Sequence, residues 1–336
     1  MADQTRRTVS PEDSLPPVEP PSAAFLVQLF LVPAIIVAII VCVWLAFHWL
    51  AHLGSDPQAY VRTLRRDNEG RWQAALNLAH DLRGPGGAAL KQDAQLASEL
   101  GRMLSEEATS GRTGAQTHTL RIYLCRALGE FAVPEAAPPL VERAAADGDP
   151  TTARAAVEAI AVLATNLAAA DRGFAEPAAV TTAVVAASRG EDPALRSAAA
   201  FTLGVLGGDS AIERLQTLGG DPVDDVRFNA ALALARQGRA ESYDTIAEML
   251  DLPDVPAASA PVDAETQSRR YKRVLVVVNA LRALALLVDS THEPPPGSLL
   301  EKVRQLAEDP VGDVRRSAGE LLKKIERISA LKPQGS

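Results

Sequence analysis

The sequence predicts an all-α protein: an α-solenoid of stacked helical hairpins preceded by one transmembrane helix. Three observations carry that expectation. An uncharged apolar run stands near the N-terminus, from Phe25 to Leu50. A motif of Asp-Pro, then Arg, then small and aliphatic residues recurs along the rest of the chain. Aromatic residues make up 4% of the chain, while the wider hydrophobic class, mostly Ala, Leu and Val, reaches 47%. Close-packed helices use such small and aliphatic side chains more readily than compact β cores do.

The first 24 residues read as an acidic, Pro-rich, disordered tail. The run that follows, FLVQLFLVPAIIVAIIVCVWLAFHWL, has Gln28 and His48 as its polar interruptions. At about 1.5 Å per residue it exceeds a hydrocarbon layer of roughly 30 Å. Trp44, His48 and Trp49 gather at its C-terminal end, where amphipathic rings favour the membrane interface. Pro33 is tolerated early in such a helix with a kink. A signal peptide would need a basic segment directly before a shorter apolar stretch. Here the run is long and follows Pro16, Pro17, Pro20 and Pro21. Arg62, Arg65 and Arg66 follow the span closely, whereas Arg6 and Arg7 lie in an acidic tail. The positive-inside tendency then places the C-terminal domain in the cytoplasm. Ala34 and Ala38 form a small-xxx-small pair, a cue for a homo-oligomer.

Residues 55–330 carry the repeats, and 331–336 form a short disordered tail. Asp149-Pro150 leads to Arg154, Asp192-Pro193 to Arg196, Asp221-Pro222 to Arg227, and Asp309-Pro310 to Arg315. Arg71 and Arg121 head weaker copies. The interval from Arg227 to Arg315 is about two repeats long, and Arg273 divides it. Asp can cap a helix and Pro fits its first turn. The Arg at the helix start can pair with Asp of a neighbouring repeat. These Arg residues, with Asp192, Asp221 and Asp309, are therefore expected to be structural ties between repeats. Leu and Val at helical spacing form the buried stripe. A second helix set is visible at Ala211–Leu218, Tyr243–Leu250 and Leu299–Ala307. A hairpin that cannot bury its apolar face alone must stack on its neighbours. Breaks are expected at 83–89, at 290–297 and, as a long exposed loop, at 251–270.

The Asp-Pro-x-x-x-Val-Arg pattern is clearest at Asp221 to Arg227 and at Asp309 to Arg315. It resembles HEAT repeats, including the HEAT-like repeats of phycobilisome lyases. The layout of tail, span and array resembles bacterial membrane-anchored HEAT-repeat proteins, which implies a single-pass protein of the inner (cytoplasmic) membrane. The resemblance implies a right-handed α-solenoid and protein–protein contact, with no single activity. The expected function is a non-catalytic scaffold that binds a protein partner at the membrane, such as a transporter complex. The alternative is a lyase-like or accessory enzyme subunit.

Little in the sequence points to chemistry. There is no phosphate-binding Gly loop, CxxC, HExxH or nucleophile elbow. No cofactor and no metal are expected. His48, His52 and Asp56 have ligand spacing, but they mark the end of the apolar run. Deoxyhypusine hydroxylases resemble HEAT arrays with four His-Glu pairs, and here one such pair stands, His292-Glu293. A net charge of −8 argues against nucleic acid. Cys42 and Cys125 are too far apart in the expected fold to pair. Arg269, Arg270, Lys272 and Arg273 form the densest basic cluster, a candidate contact for an acidic partner or lipid headgroups.

Overall fold

A computed structural model describes residues 23–52, 57–66, 70–145, 148–253 and 263–331. The chain divides into two compact units, Met1–Asp56 and Pro57–Ser336. In the first unit the described element is helix α1, Ala23–His52, with Pro33 inside it. It extends two residues beyond the apolar run at each end. No part of its Leu29–Phe47 stretch is buried. The terminal tails and the segment 254–262 lie outside the described residues, as do the side chains of His48, Trp49 and His52 and the whole of Asp56. Trp44 is exposed.

Among the described residues, the second unit folds into seven helical hairpins. Their first helices are α2 (Pro57–Arg65), α4 (Ala94–Thr109), α6 (Ala137–Ala144), α8 (Pro177–Ala187), α10 (Asp209–Leu218), α12 (Tyr243–Leu250) and α14 (Gly297–Leu306). Their second helices are α3 (Arg71–Arg83), α5 (Ala115–Gly129), α7 (Pro150–Ala169), α9 (Pro193–Leu206), α11 (Asp224–Arg236), α13 (Ala264–Thr291) and α15 (Gly312–Leu331). Each second helix packs on the next, giving an all-helical solenoid. Among the described residues, three helices are long and apolar enough to cross a membrane by length and composition: α1, α7 and α13. In α7 and α13, 56% and 50% of the apolar window is already buried within the solenoid.

Asp-Pro caps explain several helix starts. Asp149 accepts from the Thr152 amide at 3.1 Å and Asp192 from the Ala194 amide at 2.9 Å, each with Pro at the first helical position. Asp221 and Asp309 behave differently from the expected caps. Each closes a tight turn, accepting from the amides of Val223 at 3.0 Å and Val311 at 2.8 Å. Their helices begin later, at Asp224 and Gly312. Both carboxylates face an Arg of the preceding repeat, which fixes their orientation.

The expected loop 251–270 is shorter than its composition suggests. Asp263 accepts from the Thr266 amide at 2.6 Å and starts α13 at Ala264. A side-chain cap and Glu265 in the first turn favour helix there. The basic cluster at 269–273 is accordingly helical.

Small residues let the second helices approach closely. A Cβ added at Gly129 would lie 2.9 Å from Ala159 Cα, and one at Gly204 would lie 2.5 Å from Ala233 Cβ. Leu, Val and Ala fill the interior in two clusters, one running from Val61 to Leu234 and one from Phe228 to Ile325. Helix α11 contributes one face to each. At the end of the array, α15 buries Val314, Ala318, Leu321 and Ile325 and exposes Arg316, Glu320, Lys323 and Arg327. A polar outer face of that kind closes a repeat stack.

Candidate functional site

The arginines at the starts of the second helices form a ladder of ties. Arg196 makes a two-pronged bond to Asp221, at 2.8 and 3.0 Å, across to the next repeat. It also donates to the carbonyls of Gly190 and Glu191. Arg273 pairs with Asp309 at 2.9 Å in the same way, and both groups are buried. Arg121 donates to the carbonyls of Glu107 and Arg112, both at 2.8 Å, and lies 3.6 Å from Asp149. Arg71 lies 3.1 Å from Glu107 and donates to the Leu64 carbonyl. Arg227 pairs with Asp224 in its own helix and with Glu248 on α12, the first helix of the next hairpin. Arg315 donates to the Asp309 carbonyl at 2.6 Å.

Electrostatics follow this geometry. The hydrogen-bonded Arg196 guanidinium holds the Asp221 carboxyl below its ordinary range. Burial pushes the Asp149 carboxyl up. Hydrogen bonds from the Thr152 amide and hydroxyl, with the charges of His118 and Arg121, more than offset that, so its pKa is lowered. Burial pushes the Cys125 thiol up to about 12, so it is a packed apolar group with no thiolate at neutral pH. Both cysteines are free.

Two expected roles change. Arg154 does not reach Asp192. It lies half exposed, 3.7 Å from Glu158 one turn on in the same helix. Asp192 serves as a cap for α9. Arg273, counted among the partner-facing cations, is buried in the ladder and cannot meet a partner. Of its neighbours, Arg269 is exposed 4.0 Å from Glu265, Arg270 is half buried, and exposed Lys272 lies 2.9 Å from Asp225. Glu107, Glu130 and Glu248 are ion-pair partners that the Asp-Pro motif gives no hint of.

The second helices also present an outward face. On α7, α9 and α11 a groove of about 510 Å³ is lined by Arg154, Glu158, Ser197, Phe201, Asp225 and Asn229. Phe201 is 40% exposed, with the Arg236 guanidinium 5.1 Å from its ring, and Val162 is exposed nearby in sequence on α7. Asn229 holds the groove's polar edge by donating to Ser197 Oγ at 2.7 Å. A second groove of about 600 Å³ runs between α13 and α15, lined by Tyr271, Leu275, Asn279, Arg282, Glu320 and Lys324 among others. A third, of about 710 Å³, lies between the first helices α8 and α10, beside Arg189 and Arg214. Among the described residues no three His, Cys, Asp or Glu side chains converge as metal ligands.

Residues 181–260 match the family model for HEAT repeats. The matched segment takes in α9, α11 and the Arg196–Asp221 tie, and the hairpins on either side repeat its geometry. No curated protein matches the chain. Among solved structures, the Escherichia coli protein YibA aligns at 14% identity over 84% of this chain and 96% of its own, with a TM-score of 0.45. Human deoxyhypusine hydroxylase in complex with glycerol aligns at 18% identity over 81% and 96%, with a TM-score of 0.32. An engineered protein aligns at 17% identity over 82% of each chain, with a TM-score of 0.36. The solenoid assignment rests on the helix packing described above, not on these likenesses.

Proposed function

We propose that this chain is a single-pass, membrane-anchored HEAT-type scaffold that holds a protein partner on the outward face of its second helices, without catalysis. Its place is the bacterial inner membrane, with the solenoid on the cytoplasmic side. The observation that carries the reading is the contrast between the two sides of the second helices. One side is tied to the next repeat by Arg–Asp pairs at Arg121–Asp149, Arg196–Asp221 and Arg273–Asp309. Their outward side leaves Phe201 exposed beside Arg236, in a groove that Arg154 also lines, and Val162 is exposed on α7. Aromatic side chains and arginine on a fixed surface are the groups that dominate protein–protein hot spots. The anchor is supported by the length of α1 and by its wholly exposed apolar surface.

The reading is tested in membranes. A photo-crosslinking residue placed at Phe201 should trap a discrete partner protein, and the adduct should be lost with Phe201→Ala or Arg236→Glu in the chain crosslinked from Val162. Recovery of uncrosslinked protein alone from both positions would contradict it.

A further inference from the structure

The chain is acidic as a whole, at −8, yet its second helices are basic. Those seven helices carry eighteen Arg and Lys against nine Asp and Glu, while the seven first helices carry seven against nine. Many of these cations are balanced where they stand. Arg154 has Glu158, Lys272 has Asp225, Arg316 has Asp313 and Lys324 has Asp289. Arg282 shares the α13–α15 groove with Glu320. Arg236 is different. It is exposed and makes no ion pair among the described residues. Its surroundings are free of acid: α9 has no Asp or Glu, α11 has none after Asp225, and α13 has none between Glu265 and Asp289. Its guanidinium lies 5.1 Å from the Phe201 ring. A guanidinium stacked on a ring keeps its edge donors for another acceptor.

A burial pattern repeated along four consecutive second helices sets their register. The buried residues are Ala156, Val157, Ala159 and Ile160 in α7, and Ala199, Ala200, Thr202 and Leu203 in α9. They are Ala230, Ala231, Ala233 and Leu234 in α11, and Ala280, Leu281, Ala283 and Leu284 in α13. The residue skipped in each run points outward: Glu158, Phe201, Leu232 and Arg282 in turn. One helical turn on stand Val162, Val205, Arg236 and Leu286. Equivalent positions on stacked helices fall in rows, at interaxial distances of about 8–10 Å. The two rows join Phe201, Leu232, Val162, Val205 and Leu286 into one apolar patch around Arg236. Phe201, Val162 and Leu286 are exposed, whereas Leu232 and Val205 are half buried between them, so the patch is a shallow depression. Apolar side chains grouped in this way mark contact surfaces, unlike single ones. A nucleic-acid backbone would gain nothing from the apolar rows, and a flat bilayer surface would leave Leu232 and Val205 unfilled. A protein segment can seat apolar side chains in the depression and one carboxylate on the guanidinium edge.

We infer that the patch around Arg236 is the docking site for a partner segment in which apolar side chains flank a single Asp or Glu. The carboxylate takes a two-pronged bond from the Arg236 guanidinium, which the Phe201 ring supports. The apolar side chains cover Leu232, Val205 and Leu286. This rests on the scaffold reading and names the chemistry of the partner.

The test uses the full chain in native membranes, with photo-crosslinkers placed at Phe201 and at Leu286 in turn. Both should trap the same protein. Arg236→Lys then puts an amine in place of the guanidinium, and a water-soluble carbodiimide joins it to a carboxylate held there. The displaced carboxyl oxygen leaves in the urea by-product as the amide forms. Mass spectrometry should map an amide, absent from the wild type, to an Asp or Glu of the trapped protein with apolar residues beside it. Arg236→Glu should lower the Leu286 adduct about tenfold, since it sets like charges face to face. Changing the mapped Asp or Glu of the partner to Lys should restore the adduct. If Arg236→Glu alters the fold by circular dichroism, Arg236→Gln replaces it, with a smaller loss expected. A partner trapped at Phe201 and Leu286 without the amide, or trapped equally well by the Arg236→Glu chain, overturns the docking inference and leaves the scaffold. An amide to a second copy of this chain, or lipid trapped at Leu286 in place of protein, also overturns it. A protein trapped at neither position counts against the scaffold itself, and the inference falls with it.

Discussion

Arg196 clamps the next repeat through Asp221, whereas Arg154 turns outward. Arg154 is the fifth residue of α7 and Arg196 the fourth of α9, so the two side chains leave their helices on different faces. Arg154 lines the open groove on α7, α9 and α11 together with Glu158, its partner at the usual i, i+4 separation. Arg196→Ala or Arg273→Ala should cost about 3 kcal/mol, because each leaves a buried carboxylate without its partner. Arg154→Ala should cost under about 0.5 kcal/mol, since its pair is solvated. Urea unfolding of the full chain in detergent checks all three. The Asp221 carboxyl, held down by Arg196, adds a pH dependence. A lowered folded pKa gives stability that is complete above the unfolded value of about 3.9 and is lost as pH falls below it. The urea midpoint should therefore drop on acidification from about pH 5 to pH 3. Asp221→Asn should start lower at neutral pH and fall less over that window.

At the level of elements, the helices with strong local chemistry are legible in sequence. Each second helix carries an Arg of the recurring series, near its start except in α5 and α13, where Arg121 and Arg273 lie further in, and Asp-Pro marks several of their starts because capping and the fixed φ of proline are local effects. The first helices of the early repeats, α4, α6 and α8, are not individually legible. Of these, α6 and α8 are short and have no side-chain cap, whereas α4 starts at a readable cap, Asp93 accepting from the Leu96 amide. The start of α13 is hidden in a Pro- and Ala-rich stretch, although Asp263 with Thr266 is a readable cap in retrospect. Close helix contacts are likewise invisible without the third dimension. Gly204→Val should destabilise by about 1–3 kcal/mol by forcing α9 from α11 at Ala233. Gly319, in α15 with nothing within 4 Å of an added Cβ, should gain about 0.5–1 kcal/mol when changed to Ala. Thermal unfolding of the two variants separates the contact from the propensity.

For the whole molecule, the candidate site is less legible than the fold. Net charge describes the chain as acidic, and the basic bias of the second helices emerges once the hairpins are assigned. The dense cluster at 269–273 draws attention by local density, but folding buries Arg273 and pairs Lys272. Arg282 and Lys324, far apart in sequence, line one groove between α13 and α15. The anchor is the reverse case, since its composition alone carries the expectation. Replacing two residues in the middle of α1, Ile39→Lys and Ile40→Lys, should release the protein from membranes into the soluble fraction, because each charge at a span centre costs about 2.5–3.5 kcal/mol on insertion. Alkaline extraction and sedimentation would read that release.

Anchor and platform act in one chain, so the decisive measurement addresses both together. It is photo-crosslinking from Phe201 in native membranes, read by mass spectrometry, with the wild-type span and with the doubly charged span. The account predicts a single dominant partner adduct that falls sharply when the span is charged. A protein that forms no adduct, or forms the same adduct when soluble, would contradict it.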